Sequence, residues 1–421
     1  MQRVSRRRSQ AIRIVKVLPI VAAFLFCWVG ATEAGGADSQ GESVAPDANG
    51  QPRAVIFLIG DGMGEGQRTA ARWQAAGQSG HLAMDVMDAS GWSRTGAADD
   101  PVTDSAAAAT ALATGVKTNI GVISLDPLGN ILPTILEHAQ AKGMAVGLVT
   151  NVPMAHATPA AFASHVSHRS MMTEIASQMM DHQVDVLLGG GEDEFLPYTE
   201  TGCYPQPGKR TDGRNLIDDA VAAGYTHVCT PAAFAAVPLT TTHLLGLFAD
   251  GGMTRPFSPT LAQMTQKAIN ILGQGPDGFF LMVEGGQIDW ACHANDAANA
   301  ITDTIDFDAA VAVAQAYAVT NPNALVIVTA DHETGGMSVT LDPTGDPGED
   351  GPFYMPDSTP FYVNWVATTH TAADVPTTAQ GAYADLLNVT SENTYVYSVM
   401  FRATISDRWI WLPLVHRSGE E

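Results

Sequence analysis

Five short apolar runs in this chain each stop at a polar or glycine-rich turn. Residues 53–60, RAVIFLIG, run into Asp61, and residues 144–150, MAVGLVT, run into a segment from Asn151 to His156. Residues 184–188 end at Gly189-Gly190-Gly191, residues 279–283 at Glu284-Gly285-Gly286, and residues 324–330 at Asp331-His332. Continuous apolar runs of this length read as strands buried on both faces. Alanine-rich stretches of helical length fall between them, over 65–77, 105–114, 130–142, 159–181 and 294–319. Strands alternating with helices predict an α/β protein whose central, mostly parallel sheet carries helices on both faces. Chemistry in such a sheet gathers beyond the carboxyl ends of the strands. Asp61, Glu284, Asp331 and His332 all fall there.

Other segments break this rhythm. Residues 192–260 hold several prolines, two cysteines and a short helical piece near 214–223, and read as an insertion over one side of the sheet. Residues 341–361, rich in Pro, Gly and Asp, read as a surface excursion. Residues 362–369 read as a strand leading to His370, and the alternating segment 395–415 as a strand closing the sheet edge. One catalytic domain over 53–421 accommodates all of these pieces.

The N-terminus is a separate object. Arg3, Arg6, Arg7, Arg8, Arg13 and Lys16 precede a short apolar core over 17–31, with small residues near Ala31 and Ala34. This is the layout of a secretory signal peptide over residues 1–34. Residues 35–52 form a Gly-, Asp- and Ser-rich lead-in. The formal charge of the whole chain is -23, and loss of residues 1–34 makes it -28. That charge argues against nucleic acid or a membrane surface as partner. An anionic substrate would need local cations, supplied by metals or a well-placed arginine. Cys203 and Cys229 could pair in an oxidising compartment, which leaves Cys292 free.

Asp289 and His293 lie four apart, so a helix there projects both from one face. Carboxylate plus imidazole suits zinc, and a catalytic zinc takes three protein ligands. His370 is the candidate third ligand for Asp289 and His293; Asp61 is the candidate third for Asp331 and His332. Two metals about 4 Å apart serve in-line displacement by stabilising attacking and leaving oxygens. Ser105 begins the run SAAAATALATG, where a helix N-terminus attracts anions. It is the candidate nucleophile. Arg169 offers a guanidinium fork for two phosphoryl oxygens.

Six segments together make the chain resemble a bacterial alkaline phosphatase: GDGM at 60–63, TDSAAAATALATG at 103–115, HATPAAF at 156–162, VEGGQIDWACH at 283–293, TADHETGG at 329–336 and THTAADVP at 369–376. The resemblance implies an alkaline-phosphatase-like fold and a metal-dependent phosphate monoester hydrolase working at alkaline pH. Ser105 would be phosphorylated and Arg169 would bind phosphate. Asp289, His293 and His370 would hold one zinc, and Asp61, Asp331 and His332 a second. Glu284, Thr158 and the shared Asp61 would hold magnesium. A periplasmic or extracellular homodimer acting on small phosphate monoesters is implied as well.

Two positions depart from the best-known bacterial pattern. His156 stands where that pattern has aspartate, and Trp290 where it has lysine; marine and cold-adapted members resemble this chain at both. As a direct ligand, imidazole at His156 would shift the third site toward softer ions; the other reading is contact with that metal through water only. Trp290 removes a positive charge near the phosphate. The alternative is a phosphodiesterase, phosphonatase or sulfatase of the same metal-hydrolase architecture. Ser105 and Arg169 together with Thr158 and Glu284 favour the monoesterase.

Overall fold

The computed structural model describes residues 53–405. The leader over 1–34, the lead-in over 35–52 and the last part of segment 395–415 lie outside the described residues. Ten strands form the main sheet. In chain order they are β1 (Arg53–Gly60), β2 (Ala89–Arg94), β3 (Ala145–Pro153), β4 (Val186–Gly190), β5 (Thr226–Val228), β6 (Leu244–Leu247), β7 (Gly278–Gly285) and β8 (Ala324–Thr329), followed later by two more. Between come four short strands: β9 (Glu333–Thr334), β10 (Ser338–Thr340), β11 (Asp350–Tyr354) and β12 (Pro360–Asn364). Then follow β13 (His370–Thr371) and the two further sheet strands, β14 (Val375–Gly381) and β15 (Thr390–Glu392). The sheet order is β15-β2-β14-β8-β1-β7-β3-β4-β6-β5. Only β14 runs against its neighbours.

The helices are α1 (Glu65–Ala76), α2 (Ser105–Thr114), α3 (Ile135–Ala141), α4 (Ala157–Ala163), α5 (Met172–Asp181) and α6 (Leu216–Ala222). They continue with α7 (Pro231–Ala236), α8 (Leu261–Leu272), α9 (Gln287–His293), α10 (Ala297–Thr320) and α11 (Asn393–Ile405). Alternation along β1 divides them into two layers, because successive side chains point to opposite faces. Val55, Phe57 and Ile59 pack with α2 to α6 and α11, whereas Ala54, Ile56 and Leu58 pack with α1 and α7 to α10. On the first face Phe162 meets Phe57 edge-on at 6.1 Å and stacks on Phe280 at 6.0 Å. Each such pair adds about 0.5–1.5 kcal/mol beyond area burial. No helix among the described residues is long and apolar enough to cross a membrane.

Several sequence expectations need correction. Residues 395–405 are helical, not an edge strand. Val396, Val399, Met400 and Ala403 are buried at helical spacing, so the helix period wins over the apparent alternation. The edge is closed by β15 instead. The stretch 159–181 is two helices, separated where Val166 bridges to Ile123 and pulls the chain into extended form. Within 130–142 the helix begins only at Ile135, where Pro133 and the Thr134–Glu137 capping box set its start. The strand expected at 362–369 is β12, which ends at Asn364 and belongs to a separate sheet with β10 and β11. Residues 192–260 contribute β5 and β6 to the edge of the main sheet rather than only covering it. Cys203 and Cys229 form a disulfide, with Cα atoms 6.3 Å apart.

Strand register positions the site. Ile59 lies level with Glu284 on one side and Thr329 on the other. Thr150 of β3 is level with Glu284 as well. Asp61, Glu284 and Asp331 therefore emerge together at the carboxyl edge. Gly62, with φ of 71°, makes the turn after Asp61; a Cβ there would meet Thr334 Oγ1 at 2.8 Å and Asp289 at 3.0 Å. Only glycine fits that close approach.

Candidate active site

Helix α2 is small-sided and buried over its whole length, which lets its N-terminus reach the carboxyl edge of the sheet. Asp104 caps it. Asp104 Oδ1 accepts from the amides of Ala107 at 3.0 Å and Gly121 at 3.2 Å, and Oδ2 accepts from Arg169 Nη1 at 3.0 Å. Burial pushes the Asp104 carboxyl up, but the Ala107 amide and Arg169 hold it below its ordinary range. The cap alone stabilises the helix by about 1 kcal/mol. Ser105 follows at the first helical position, buried, with Oγ 3.4 Å from His332 Nε2.

Three groups of ligand atoms surround that hydroxyl's neighbourhood. Asp289, His293 and His370 form the first. His293 Nε2 is 3.1 Å from His370 Nε2 and 3.3 Å from Asp289 Oδ2. Asp61, Asp331 and His332 form the second, with His332 Nε2 3.3 Å from Asp331 Oδ2 and 3.6 Å from Asp61 Oδ1. Asp61, His156 and Glu284 form the third. The second and third share Asp61, and Thr158 lies beside Glu284. The His332 and His370 rings stack at 3.6 Å and join the first two groups.

Hydrogen bonds fix the ring tautomers. His293 Nδ1 donates to the Thr368 carbonyl at 2.7 Å, and His370 Nδ1 donates to the Thr103 carbonyl at 2.8 Å. Thr334 gives its one hydroxyl proton to Asp289 Oδ1 at 2.6 Å, so it accepts from His332 Nδ1 at 3.2 Å. Nε2 is thus the nitrogen that each ring turns inward, where it holds a proton or meets a cation. Both Asp61 oxygens, Asp331 Oδ2, Glu284 Oε1 and His156 Nδ1 are buried without a hydrogen-bond partner. The carboxylate oxygens among these are buried acceptors crowded together with no donor, which is costly unless a cation sits among them.

The electrostatics agree. Burial, together with Asp331, Asp289 and Glu284, drives the Asp61 carboxyl well above its ordinary value. Glu284 is pushed up to about 7 and Asp331 to about 6, in both cases chiefly by burial. Burial pushes His156 down to about 3 and His332 down to about 4. Asp289 goes the other way despite its burial, because His293 and His332 hold it below the carboxylate range. His293 rises to about 9 through its bond to Asp289. Neutral imidazoles beside strained carboxylates are a donor set for divalent cations.

Arg169 bridges the capping residue of α2 and the third group: Nη1 meets Asp104 and Nη2 lies 3.3 Å from His156 Nε2. Trp290, on α9, meets the His156 ring edge-on at 6.0 Å and is 37% exposed. All twelve residues singled out in the sequence therefore gather at one place. Cys292 stays outside the ligand groups, buried, with its thiol against Gln67 and pushed up by burial. Sequence reasoning missed Thr334, the proton hub between Asp289 and His332, and Thr150, which donates to Glu284. It also gave Asp104 no part in holding Arg169. The two-residue offset of Thr334 from His332 in ADHET was the one available signal.

A family model described as alkaline phosphatase matches residues 52–355. The chain belongs to the alkaline phosphatase family. Alkaline phosphatase 3 of Bacillus subtilis (strain 168) is 40% identical over 308 residues, which cover 68% of this chain and 62% of that protein. This chain thus spans less than two thirds of that relative's length. Streptomycin-6-phosphate phosphatase of Streptomyces griseus is 35% identical over 421 residues, covering 83% of this chain and 90% of that protein. Among solved structures, alkaline phosphatase from the Antarctic bacterium TAB5 superposes with a TM-score of 0.73 at 29% identity, over 84% of this chain and 98% of that one. A variant of the TAB5 enzyme with aspartate in place of a histidine binds Mg in its M3 site. Against these alkaline phosphatases, the central sheet and its flanking helices are the common frame.

Proposed function

We propose that this member of the family hydrolyses phosphate monoesters through a phosphoserine at Ser105. The observation that supports it most is the placement of the Ser105 hydroxyl at a capped helix N-terminus, 3.4 Å from His332 and beside three groups of potential metal-ligand atoms. Family membership supports the reaction class. The donor sets fit two zinc ions, one on Asp289, His293 and His370 and one on Asp61, Asp331 and His332. The third group, Asp61, Glu284 and Thr158 with His156 beside them, fits magnesium. When bound, these cations would neutralise the phosphoryl dianion and lower the pKa of oxygens that attack and leave.

The chain's own residues do the rest. Arg169, steadied by Asp104, presents its guanidinium to two phosphoryl oxygens. The first amides of α2 face the same anion. Ser105 Oγ bonds to phosphorus as the bond to the alcohol oxygen breaks, and the proton lost from Oγ is balanced by one gained on the departing alcohol. Water then attacks the phosphoserine, which releases inorganic phosphate and returns a proton to Ser105 Oγ. Contacts are made to the phosphoryl group, so the alcohol is left unselected.

We read the leader as an export signal, the Cys203–Cys229 disulfide as suited to the periplasm or the exterior, and the assembly as a homodimer by kinship. Residues 53–421 act as a single catalytic domain. The test is Ser105→Ala: turnover of a phosphate monoester should fall at least ~1000-fold with metal content unchanged. Undiminished turnover, or faster hydrolysis of phosphate diesters than of monoesters by the unaltered protein, would discard the reading.

A further inference from the structure

Another set of metal-ligand side chains lies outside the site described above. Glu137 comes from α3, His165 from the connection between α4 and α5, and His182 from the C-terminal end of α5. Their ligand atoms all lie within 4.8 Å of one another. Glu137 Oε1 is 3.1 Å from His165 Nε2 and 3.6 Å from His182 Nδ1. A tetrahedral zinc with bonds of about 2.0–2.1 Å separates its ligand atoms by about 3.3–3.4 Å. The two spacings bracket that value. They also match the range within the Asp289, His293 and His370 group, which runs from 3.1 to 3.6 Å.

The atoms are pre-set for this role. Glu137 Oε2 is occupied by the Thr134 amide at 2.7 Å, as part of the capping box, so Oε1 is the oxygen that faces the rings. His165 Nδ1 lies 3.0 Å from the Ser124 carbonyl. A carbonyl only accepts, so Nδ1 keeps its proton; Nε2 donates a second proton to Oε1 in the metal-free protein, and loss of that one proton frees an Nε2 lone pair for a cation. The His182 backbone is held from both sides: its amide donates to Gln178, and its carbonyl accepts from Gln140 Nε2 at 2.7 Å. Two imidazole nitrogens thus converge on one carboxylate oxygen. The His165 side chain is 8% exposed, while those of Glu137 and His182 reach solvent at 24% and 28%. An ion could enter there and keep a water as fourth ligand.

We propose that Glu137, His165 and His182 bind a structural zinc ion through Oε1, Nε2 and Nδ1, and that this ion staples α3 to α5. Two imidazoles and one carboxylate favour zinc over magnesium or calcium. The group makes no contact with Ser105 and takes no part in phosphoryl transfer.

The test uses the full chain, stripped of metal, reloaded with zinc chloride and dialysed. Wild-type protein should retain one more zinc equivalent per chain than His182→Ala, and the same difference should appear with His182→Gln. Equal zinc content in wild type and both variants overturns the assignment. Zinc-edge anomalous diffraction from wild-type crystals is the second measurement and does not depend on how a variant folds. A peak bounded by Glu137, His165 and His182 supports the site. No peak there, with peaks present at Asp289, His293 and His370, leaves an ordinary proton-held ion pair and ends the proposal.

Discussion

His293 Nε2 and His370 Nε2 face each other across 3.1 Å, and the other nitrogen of each ring is already committed to a backbone carbonyl. Two lone pairs at that distance repel. Something positive must stand between them: a proton, which Asp289 helps His293 retain to about 9, or a metal ion. The same logic extends to Asp61, whose two oxygens are both buried without a partner.

Metal removal should therefore cost both activity and stability. Chelator-stripped protein should lose phosphatase activity and regain it with added zinc. Its apparent melting temperature should fall by on the order of 10 °C, since tight ligands at high occupancy stabilise by about 4 kcal/mol. His370→Ala should lower zinc content by one per chain and kcat/KM by at least ~100-fold. Zinc analysis beside steady-state kinetics checks both, and full activity without metal would refute the cation argument.

The stripped and loaded proteins should respond to pH in opposite directions. In the metal-free chain Glu284 is raised to about 7 and Asp331 to about 6, above their unfolded values. A raised folded value means that the folded state holds more protons than the unfolded one. Three raised carboxyls, Asp61 among them, are opposed by His156 and His332, which are lowered to about 3 and 4 and favour the unfolded state below the ordinary imidazole value. The three outnumber the two, so metal-free stability declines as pH rises through about 6 to 7. In the loaded protein, protons compete with the ions, so stability falls as pH drops through the same window. Melting temperatures of both forms from pH 4 to 8 (about the carboxyl-to-neutral span) should converge toward acid. Parallel curves would contradict this.

How much of this was legible in the sequence depends on the physical signal each part leaves. The parallel strands β1, β3, β4, β7 and β8 are buried on both faces and leave unbroken apolar runs. Strands β2 and β14 leave none: ASGWSR and VPTTAQG are small, polar and glycine-bearing, and only tertiary pairing makes them strands. Candidate ligand residues were readable because Asp61, Glu284, Asp331 and His332 end apolar runs and Asp289 and His293 share a helical face. His156 and Trp290 could be noticed only by likeness to a family. Thr334 was hidden, because a hydroxyl that donates to Asp289 and accepts from His332 looks like any other threonine. The Asp104 to Arg169 contact spans 65 residues and has no local periodicity to betray it.

That contact can be separated from the helix cap. Asp104→Asn keeps a side-chain oxygen for the Ala107 amide but weakens the charge pairing with Arg169. Stability should change by less than about 1 kcal/mol, while KM for a phosphate monoester rises several-fold as the guanidinium is released. Arg169→Ala should lower kcat/KM by about 100-fold through loss of a charge-assisted double hydrogen bond. Thermal denaturation with a kcat and KM split distinguishes the two effects. A large stability loss with unchanged KM in Asp104→Asn would show that the aspartate only caps.

Trp290 offers the sharpest handle on product release. Its ring packs over Gly252, where a Cβ would come within 2.5 Å of it, and its edge meets His156, so it is seated rather than loose. It brings no charge to the region that Arg169 serves. Trp290→Lys would place an ammonium close to where the product dianion rests. At an effective dielectric typical of a partly exposed site, after screening, such a charge is worth about 1 kcal/mol, or roughly fivefold in affinity. Inhibition by inorganic phosphate should tighten by about that factor. Where release limits the rate, kcat should fall as the product is held longer. A double variant that also carries Arg169→Ala should lose most of the gain, because two cations gripping one dianion are coupled. Unchanged phosphate inhibition in Trp290→Lys would show that this position does not face the phosphate at all.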